Sequence, residues 1–183
     1  MPRAGGRPAN PFWTYSLRLY RRPDVAAACI ALQDRLGVDV NVLLFCLWAG
    51  HRGVALPPKT MTLIGELSRL WSTNVVGGLR QVRRFLKPLG LPALRGQVAR
   101  VELAAERVEQ DLLVRLLPAA RRRRAMPLPE RAELAARNLA HYLRRHLPRR
   151  GASLKPADTA HLLTLLAAAF PSRGTDLRRL FHG

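Results

Sequence analysis

The sequence G-V-D-V-N-V-L-L-F-C-L-W, from Gly37 to Trp48, decides the fold of this chain. After Asp39 every residue of the stretch except Asn41 is apolar, so a helix here has no polar face to turn toward water. Such a helix belongs at the centre of a bundle. We therefore expect a buried central helix from Val40 to Ala49, surrounded by the rest of the chain.

The entry to this helix carries a capping pattern. Gly37 suits a left-handed C-cap, Asp39 suits the N-cap of the next helix, and the D-x4-D-x-N spacing around them does not match a calcium loop. Asn41 is an amide in an apolar helix, which is costly unless it is hydrogen-bonded. We expect it to anchor a backbone group or a partner such as Gln33. The residues predicted to be structural are Gly37, Asp39, Asn41 and Trp48.

Helical periodicity, together with proline and glycine residues at helix ends, divides the remaining chain into predicted helices. Predicted helices cover Phe12–Tyr20, Asp24–Leu36, Pro58–Lys87 with a kink or break at Gly77-Gly78, a stretch opened by Pro92 and closed by Pro118, Pro129–Leu147 and Pro156–Phe170. The helix Pro58–Lys87 and the helix opened by Pro92 should pair as a long antiparallel hairpin. Their apolar stripes should face each other or the core: Leu63, Leu67, Leu70, Trp71, Val75, Leu79, Val82 and Leu86 on one helix, and Leu94, Val98, Val101, Ala105, Val108, Leu112 and Leu116 on the other.

These patterns predict an all-α fold: a helical bundle around a buried central helix, with a long antiparallel helical hairpin and a basic helical C-terminal tail. No stretch alternates with the period of a strand. Residues 1–9 should form a disordered leader, residues 10–117 a helical domain, and residues 118–183 the basic tail. The sequence leaves open whether the tail packs on the core.

Charge is the unusual quantity, with 31 Lys and Arg against 12 Asp and Glu, a formal net charge of +19. More than half of the excess lies beyond residue 117, and such a surface attracts anions without chemical selectivity. A nucleic-acid reader should also carry stacking aromatics, for which Phe85 and Tyr142 are the candidates. The residues predicted to meet an anionic partner, acidic protein or nucleic acid, are Arg80, Arg83, Arg84, Lys87, Arg121, Arg122, Arg123, Arg124, Arg144 and Arg145.

Catalytic, cofactor and metal motifs are not found. The carboxylates Glu102, Glu106 and Glu109 lack the Glu-x-x-His of a di-iron bundle, so we interpret them as a solvated ridge paired with arginines such as Arg83. The polar run beside the glycine pair is the best candidate for a cleft. Its residues are Trp71, Thr73 and Asn74.

The cell compartment is suggested by the cysteines and the amino terminus. Cys29 and Cys46 lie on apolar helical stretches and are read as buried thiols in a reducing compartment. No stretch has the apolar run of a signal peptide or the roughly 18–20 apolar residues that a membrane helix needs. We expect a cytoplasmic protein without a membrane span.

Two motifs connect the chain with a family. F-W-x-x-S-L-x-x-Y at Phe12–Tyr20 and L-Q-D-x-x-G-x-D-V-N-x-L-L-F-C-L-W at Leu32–Trp48, followed by Trp71 and a Glu-rich helix from Leu94, resemble a family of small proteobacterial proteins described only as a domain of unknown function. The resemblance runs to Leu117 and does not include the tail. It implies a cytoplasmic helical domain and carries over no activity, cofactor or catalytic residue.

The sequence favours a non-enzymatic protein that binds a macromolecular partner. One alternative is a nucleic-acid-binding protein acting through the Arg-rich tail. The other is an enzyme or small-molecule binder with a cleft near Trp71–Arg80. The oligomeric state is left open.

Overall fold

The structure, a computed structural model, describes residues 10–118, 126–148, 151–171 and 177–181, and the predicted leader 1–9 lies outside these ranges. The described residues form helices and no strand, which confirms the all-α prediction. None of these helices is long and apolar enough to cross a membrane. The elements are α1 (Pro11–Tyr20), α2 (Pro23–Leu36), α3 (Val40–His51), α4 (Pro58–Trp71), a π-helical turn (Ser72–Val76), α5 (Gly77–Phe85), α6 (Pro92–Arg115), α7 (Leu128–His146), α8 (Pro156–Ala169) and a 3-10 turn (Arg178–Phe181).

Helix α3 is the centre of the bundle, and every residue from Asn41 to Gly50 is buried. Helix α7 crosses it at Gly50, where an added Cβ would lie 2.4 Å from the Cβ of Ala135 and 2.6 Å from its Cα. The glycine therefore lets two helix backbones approach closely. The sequence pattern assigned Gly50 to a loop, whereas α3 continues through it to His51.

The segment after residue 117 supplies two helices to the same core. Leu139 of α7 and Leu162 of α8 are fully buried in the hydrophobic cluster that contains α3. Helix α8 lies on α2, where Arg35 forms an ion pair with the buried carboxylate of Asp158. The same carboxylate accepts a hydrogen bond from the backbone N–H of Lys155 and so caps α8. The question that the sequence left open is answered by these contacts, since both helices pack on the core.

Helix α1 closes one end of the bundle with aromatic side chains. The Asn10 side chain accepts a hydrogen bond from the backbone N–H of Phe12, which begins the helix. The Phe12 ring is fully buried, with its centroid 5.4 Å from that of Phe45 and 5.3 Å from that of Trp48. Trp48 thus lies in an aromatic cluster that holds α1 on α3.

The hairpin consists of α4, the π-helical turn and α5 on one side and α6 on the other. The predicted interruption lies just before the glycine pair, as a π-helical turn rather than a break. An added Cβ at Gly77 would lie 2.2 Å from the carbonyl oxygen of Ser72, so the turn requires glycine there. Helix α5 buries none of its side chains.

The two hairpin stripes face inward only in part, since Leu86 is buried and Leu67 and Leu116 pack against the core. Leu63, Leu70 and Val82 of the first stripe are about half exposed, and so are Leu94, Val101 and Val108 of the second. The buried positions of α4 are Met61, Ile64 and Ser68, and those of α6 are Glu102, Glu109, Gln110 and Leu113. Helix α6 is therefore turned so that mainly polar groups face inward, and part of each apolar stripe faces solvent.

Candidate binding cleft and hairpin surface

A cleft of about 1420 Å³ lies between the α2–α3 corner, α4, α5 and α6. One wall carries exposed apolar side chains of α1 and α2, namely Leu17, Tyr20 and Ile30. The opposite wall carries the cations of α5 and the turn after it, namely Arg80, Arg83, Arg84 and Lys87. Four of the predicted anion-binding residues therefore lie on one side of one cleft.

The floor of the cleft is a buried polar network between α3 and α6. Asn41 Nδ2 donates to Glu109 Oε2 at 2.7 Å, and Asn41 Oδ1 accepts from Gln110 Nε2 at 2.8 Å. Glu109 is 2% exposed and Gln110 is 3% exposed. The partners of Asn41 are thus two side chains of α6, and not Gln33 or a backbone group as the sequence suggested.

Asp39 joins this network to three helices. Its Oδ1 accepts from the backbone N–H of Asn41 at 2.8 Å, which caps α3, and its Oδ2 accepts from Ser68 Oγ of α4 at 2.7 Å. Its backbone N–H donates to the hydroxyl oxygen of Tyr142 on α7 at 3.1 Å. The preceding Gly37 has φ 65 and ends α2 in the left-handed conformation. The helix caps and the contacts with α4 and α7 therefore fix the α2–α3 corner.

The surroundings of the Glu109 carboxyl group disfavour its ionised form. Burial, the charge of Asp39 and hydrogen bonding to Asp39 raise the pKa of Glu109 to about 10. Burial likewise raises the pKa of Tyr142, with the negative charge of Asp39 as the next cause. The carboxyl group of Glu109 is thus influenced by the charge of Asp39, while its Oε2 accepts a hydrogen bond from Asn41.

Two arginines of α5 pair with two carboxylates of α6 above this floor. Arg80 Nε lies 3.1 Å from Glu102 Oε1, Arg80 Nη2 lies 3.1 Å from Glu106 Oε1, and Arg83 Nε lies 2.5 Å from Glu102 Oε2. Burial opposes ionisation of Glu102, but the hydrogen bonds from Arg83 and Arg80 hold its pKa below the usual value. The ridge does pair with arginines, although Glu102 and Glu109 are buried rather than solvated.

Other cations of the cleft remain available. Arg84 forms an exposed ion pair with Asp34 of α2 at 3.3 Å, a contact of small energy. Arg69, Lys87 and Arg95 line the cleft and form no ion pair within the described ranges. Within the described residues, the cleft therefore has positive charge that no ion pair neutralises, beside the matched charges of Arg80 and Arg83.

The three residues predicted to form a cleft have different surroundings. Of these three residues, Thr73 lines the cleft and Trp71 and Asn74 do not. The indole N–H of Trp71 donates to the carbonyl oxygen of Ala105 at 3.1 Å and ties the π-helical turn to α6. The exposed Asn74 donates to the carbonyl oxygen of Leu70 within its own helix. The polar run therefore has a mainly structural role.

The described arginines Arg144 and Arg145 of the last third lie in different grooves. Arg145 lines the cleft and donates to Thr62 Oγ1 at 2.7 Å. Arg144, its neighbour in sequence, lines a second groove of about 510 Å³ together with Leu147 and Phe181. The predicted residues Arg121, Arg122, Arg123 and Arg124 lie outside the described residues.

A second feature is the hairpin surface, which we define as the exposed large apolar side chains between residues 63 and 108. Ten of the fourteen such side chains in the described ranges belong to it: Leu63, Leu70, Val82, Phe85, Leu89, Leu91, Leu94, Val101, Leu103 and Val108. No acidic residue occurs between Glu66 and Glu102, whereas seven basic residues do. The hairpin surface is therefore both apolar and positively charged.

The sequence reading missed Ser68, Gln110 and Tyr142 as members of the floor. A signal for Gln110 exists, because Glu102, Glu106, Glu109 and Leu113 follow a helical spacing that continues onto a buried leucine. No signal marks Ser68 or Tyr142, since their roles depend on helices far apart in the chain. Within the described ranges, no group of three or more His, Cys, Asp or Glu side chains could hold a metal ion.

Comparison with known proteins gives one match. The model of a family described as "Protein of unknown function (DUF2390)" matches residues 11–113, from the start of α1 to near the end of α6. No curated protein and no solved structure matches the chain. The match spans more than half of the chain and contains Asp39, Asn41, Glu109 and Gln110, and it confirms the resemblance drawn from the motifs. The chain belongs to the DUF2390 family of proteins of unknown function.

Proposed function

We propose that this protein is a non-enzymatic cytoplasmic binding module that docks an acidic, amphipathic segment of another protein on the hairpin surface. The observation that carries the proposal is the exposure of an apolar stripe in a region without acidic residues. Phe85 is 67% exposed, and Val82, Leu89, Leu91 and Leu94 beside it in sequence are about half exposed. Exposed apolar surface of this extent is typical of a protein interaction site.

The apolar component favours a protein partner over nucleic acid. Valine and leucine side chains gain free energy by packing against other apolar groups, which a phosphate backbone does not offer. Phe85 is the one aromatic side chain of the hairpin surface that could stack on a base, whereas single-strand binders use several aromatic side chains. The buried free thiols of Cys29 and Cys46 support the cytoplasmic assignment, because they are compatible with a reducing compartment.

The charge component favours an acidic partner over a second copy of this chain. Within the described residues, Arg69, Lys87, Arg95 and Arg100 of the hairpin form no ion pair with a carboxylate, and Arg84 is held by an exposed pair. Two hairpin surfaces placed face to face would bring like charges together. An amphipathic helix with Glu and Asp beside its apolar face would instead match both components.

The first test is affinity capture from a nuclease-treated cell lysate with the full-length protein and hairpin variants. We expect a captured protein to be lost with Phe85→Ser and with Lys87→Glu. It should be retained with the matched controls Leu128→Ser and Arg115→Glu, which change an exposed leucine and an exposed arginine outside the hairpin surface. Capture that disappears with nuclease, or that all four variants retain, contradicts the proposal.

The second test measures the chemistry directly with labelled ligands in fluorescence anisotropy. The probes are a synthetic amphipathic helix of Leu and Glu, its counterpart with Lys in place of Glu, and a duplex DNA. We expect the Glu helix to bind, to weaken as salt is raised, and to lose at least ~tenfold in affinity with Phe85→Ser. Stronger binding of DNA than of the Glu helix would replace this proposal with the nucleic-acid alternative.

A further inference from the structure

The cleft has more cations than its own carboxylates neutralise. Seven Lys and Arg side chains line it, against five Asp and Glu side chains. Three of the five acids are taken up by ion pairs with Arg80, Arg83 and Arg84. Lys87 and Arg95, on either side of the turn between α5 and α6, form no ion pair in the described residues. The lining therefore attracts anions.

The apolar wall of the cleft lies close to these cations. Asp34 of α2 and Arg84 of α5 meet across the cleft, with Oδ1 and Nη2 3.3 Å apart. Ile30 lies one helical turn before Asp34, lines the same cleft and is about half exposed. Tyr20 of α1 lines this wall too, and its hydroxyl group interacts electrostatically with Arg80. A small ligand can therefore touch apolar side chains and cations at the same time.

The ion pair that holds Arg84 is open to exchange. Arg84 and Asp34 are both more than half exposed, and an exposed pair of this kind contributes little free energy. Lys87 is one turn further along the chain, where its backbone N–H donates to the carbonyl oxygen of Arg84 at 3.2 Å. A phosphate group fits the guanidinium fork, and its second negative charge has a second cation to meet in Lys87. A carboxylate offers only one charge to the same pair.

We propose that this part of the cleft binds a small amphipathic phosphate monoester. Its phosphate group contacts Arg84 and Lys87 and displaces Asp34 from Arg84. Its apolar body packs on Ile30 and Tyr20 of the opposite wall. The site is one of binding, without a covalent step. It does not rest on the docking of a protein segment at the hairpin surface.

The test is isothermal titration calorimetry of the full-length protein with hexyl phosphate, at about pH 8, where a phosphate monoester is a dianion. We expect a dissociation constant below about 1 mM at low salt. The affinity should fall as salt is raised, because the site is partly exposed. Absence of binding up to about 10 mM hexyl phosphate would overturn the proposal.

Further probes separate the two parts of the ligand. Inorganic phosphate lacks the apolar body and should bind at least ~tenfold more weakly than hexyl phosphate. Heptanoate has a comparable chain with a single charge and should bind at least ~threefold more weakly. AMP carries its phosphate on a polar body and should gain little over inorganic phosphate. Equal or tighter binding of any of the three would contradict an amphipathic phosphate site, and so would binding to phosphatidate vesicles without binding to hexyl phosphate.

Variants of the charged residues locate the phosphate group. Arg84→Gln and Lys87→Gln should each weaken hexyl phosphate at least ~fivefold, whereas Arg115→Gln, an exposed arginine outside the cleft, should leave its affinity unchanged. Asp34→Asn removes the carboxylate that competes for Arg84, so it should tighten binding at least ~twofold. All four positions are exposed, so the variants should fold. An affinity that Asp34→Asn leaves unchanged or lowers would contradict the placement of the phosphate.

Variants of apolar residues locate the body and separate this site from the hairpin surface. Ile30→Ser should weaken hexyl phosphate at least ~fivefold, and the matched control Leu128→Ser should not. Phe85 does not line the cleft, so Phe85→Ser should keep hexyl phosphate binding while it loses the protein partner. Loss of hexyl phosphate binding in Phe85→Ser would place the ligand on the hairpin surface and overturn this proposal alone.

Discussion

The two ends of α3 meet their neighbours in opposite ways. At its C-terminal end, Gly50 and Ala135 bring α3 and α7 together through backbone and methyl groups alone. At its N-terminal end, Asn41 meets α6 through two hydrogen bonds to Glu109 and Gln110. The first contact is close packing and the second a polar network with unsatisfied atoms. The difference teaches that close packing and buried hydrogen bonding are separated along a single helix, and the following predictions test that separation.

The largest effect is expected at the apolar end. Gly50→Ala places a Cβ within 2.6 Å of the backbone of Ala135, so the helices must separate, and we expect a loss of about 3 kcal/mol in the free energy of unfolding. Chemical denaturation measures this. The control is Gly78→Ala, where an added Cβ meets nothing within 4 Å and helix propensity should raise stability by up to ~1 kcal/mol. Equal effects of both changes would show that the crossing is not tightly packed.

The next largest effect on stability is expected at the polar, N-terminal end of α3. Asn41→Leu removes both hydrogen bonds of the amide and leaves Glu109 Oε2 and Gln110 Nε2 buried without partners. We expect a loss of about 2 kcal/mol in the free energy of unfolding, measured by urea denaturation. Binding at the hairpin surface should be unchanged in the folded variant. Loss of partner binding at unchanged stability would mean that a change in the polar network alters the hairpin surface.

A pH-dependent effect distinguishes the network from ordinary packing. Unfolded Glu109 ionises near its ordinary pKa of 4.5, whereas the native pKa is raised to about 10. Between these values the native state holds a proton that the unfolded state has lost, so its contribution to stability is present at low pH and decreases as pH rises. We expect the stability of Glu109→Gln to fall less steeply than that of the wild type between about pH 5 and pH 9. Parallel denaturation curves across this range would show that Glu109 is already ionised.

The smallest effect on stability is expected at the hairpin. Phe85→Ser removes a side chain that is two-thirds exposed on a helix without buried residues, so the free energy of unfolding should change by less than about 0.5 kcal/mol. Thermal and urea denaturation measure this. A larger loss would mean that Phe85 supports the fold, and its exposure could then not be assigned to partner docking.

The accuracy of the sequence-based predictions differs between these regions for a physical reason. The burial of α3 follows from its composition, because a helix that is apolar on all sides has one favourable location. The facing of α6 does not follow from its own sequence. Apolar side chains at Leu94, Val101 and Val108 and carboxylates at Glu102 and Glu109 both have helical spacing, and the inward face is chosen by Asn41, Arg80 and Arg83 on other helices. Hydrogen bonding between distant residues therefore overrode the hydrophobic pattern.

The central position of α3 also affects how the protein can fold during translation. Helix α3 ends at His51, whereas α7, which covers it, begins at Leu128. A ribosome that adds ~5–20 residues per second needs roughly 4–15 s to synthesise the chain between them. During that interval the surface of α3 that α7 covers has no partner from α7. We therefore expect the risk of aggregation of the nascent chain to be greatest before α7 emerges.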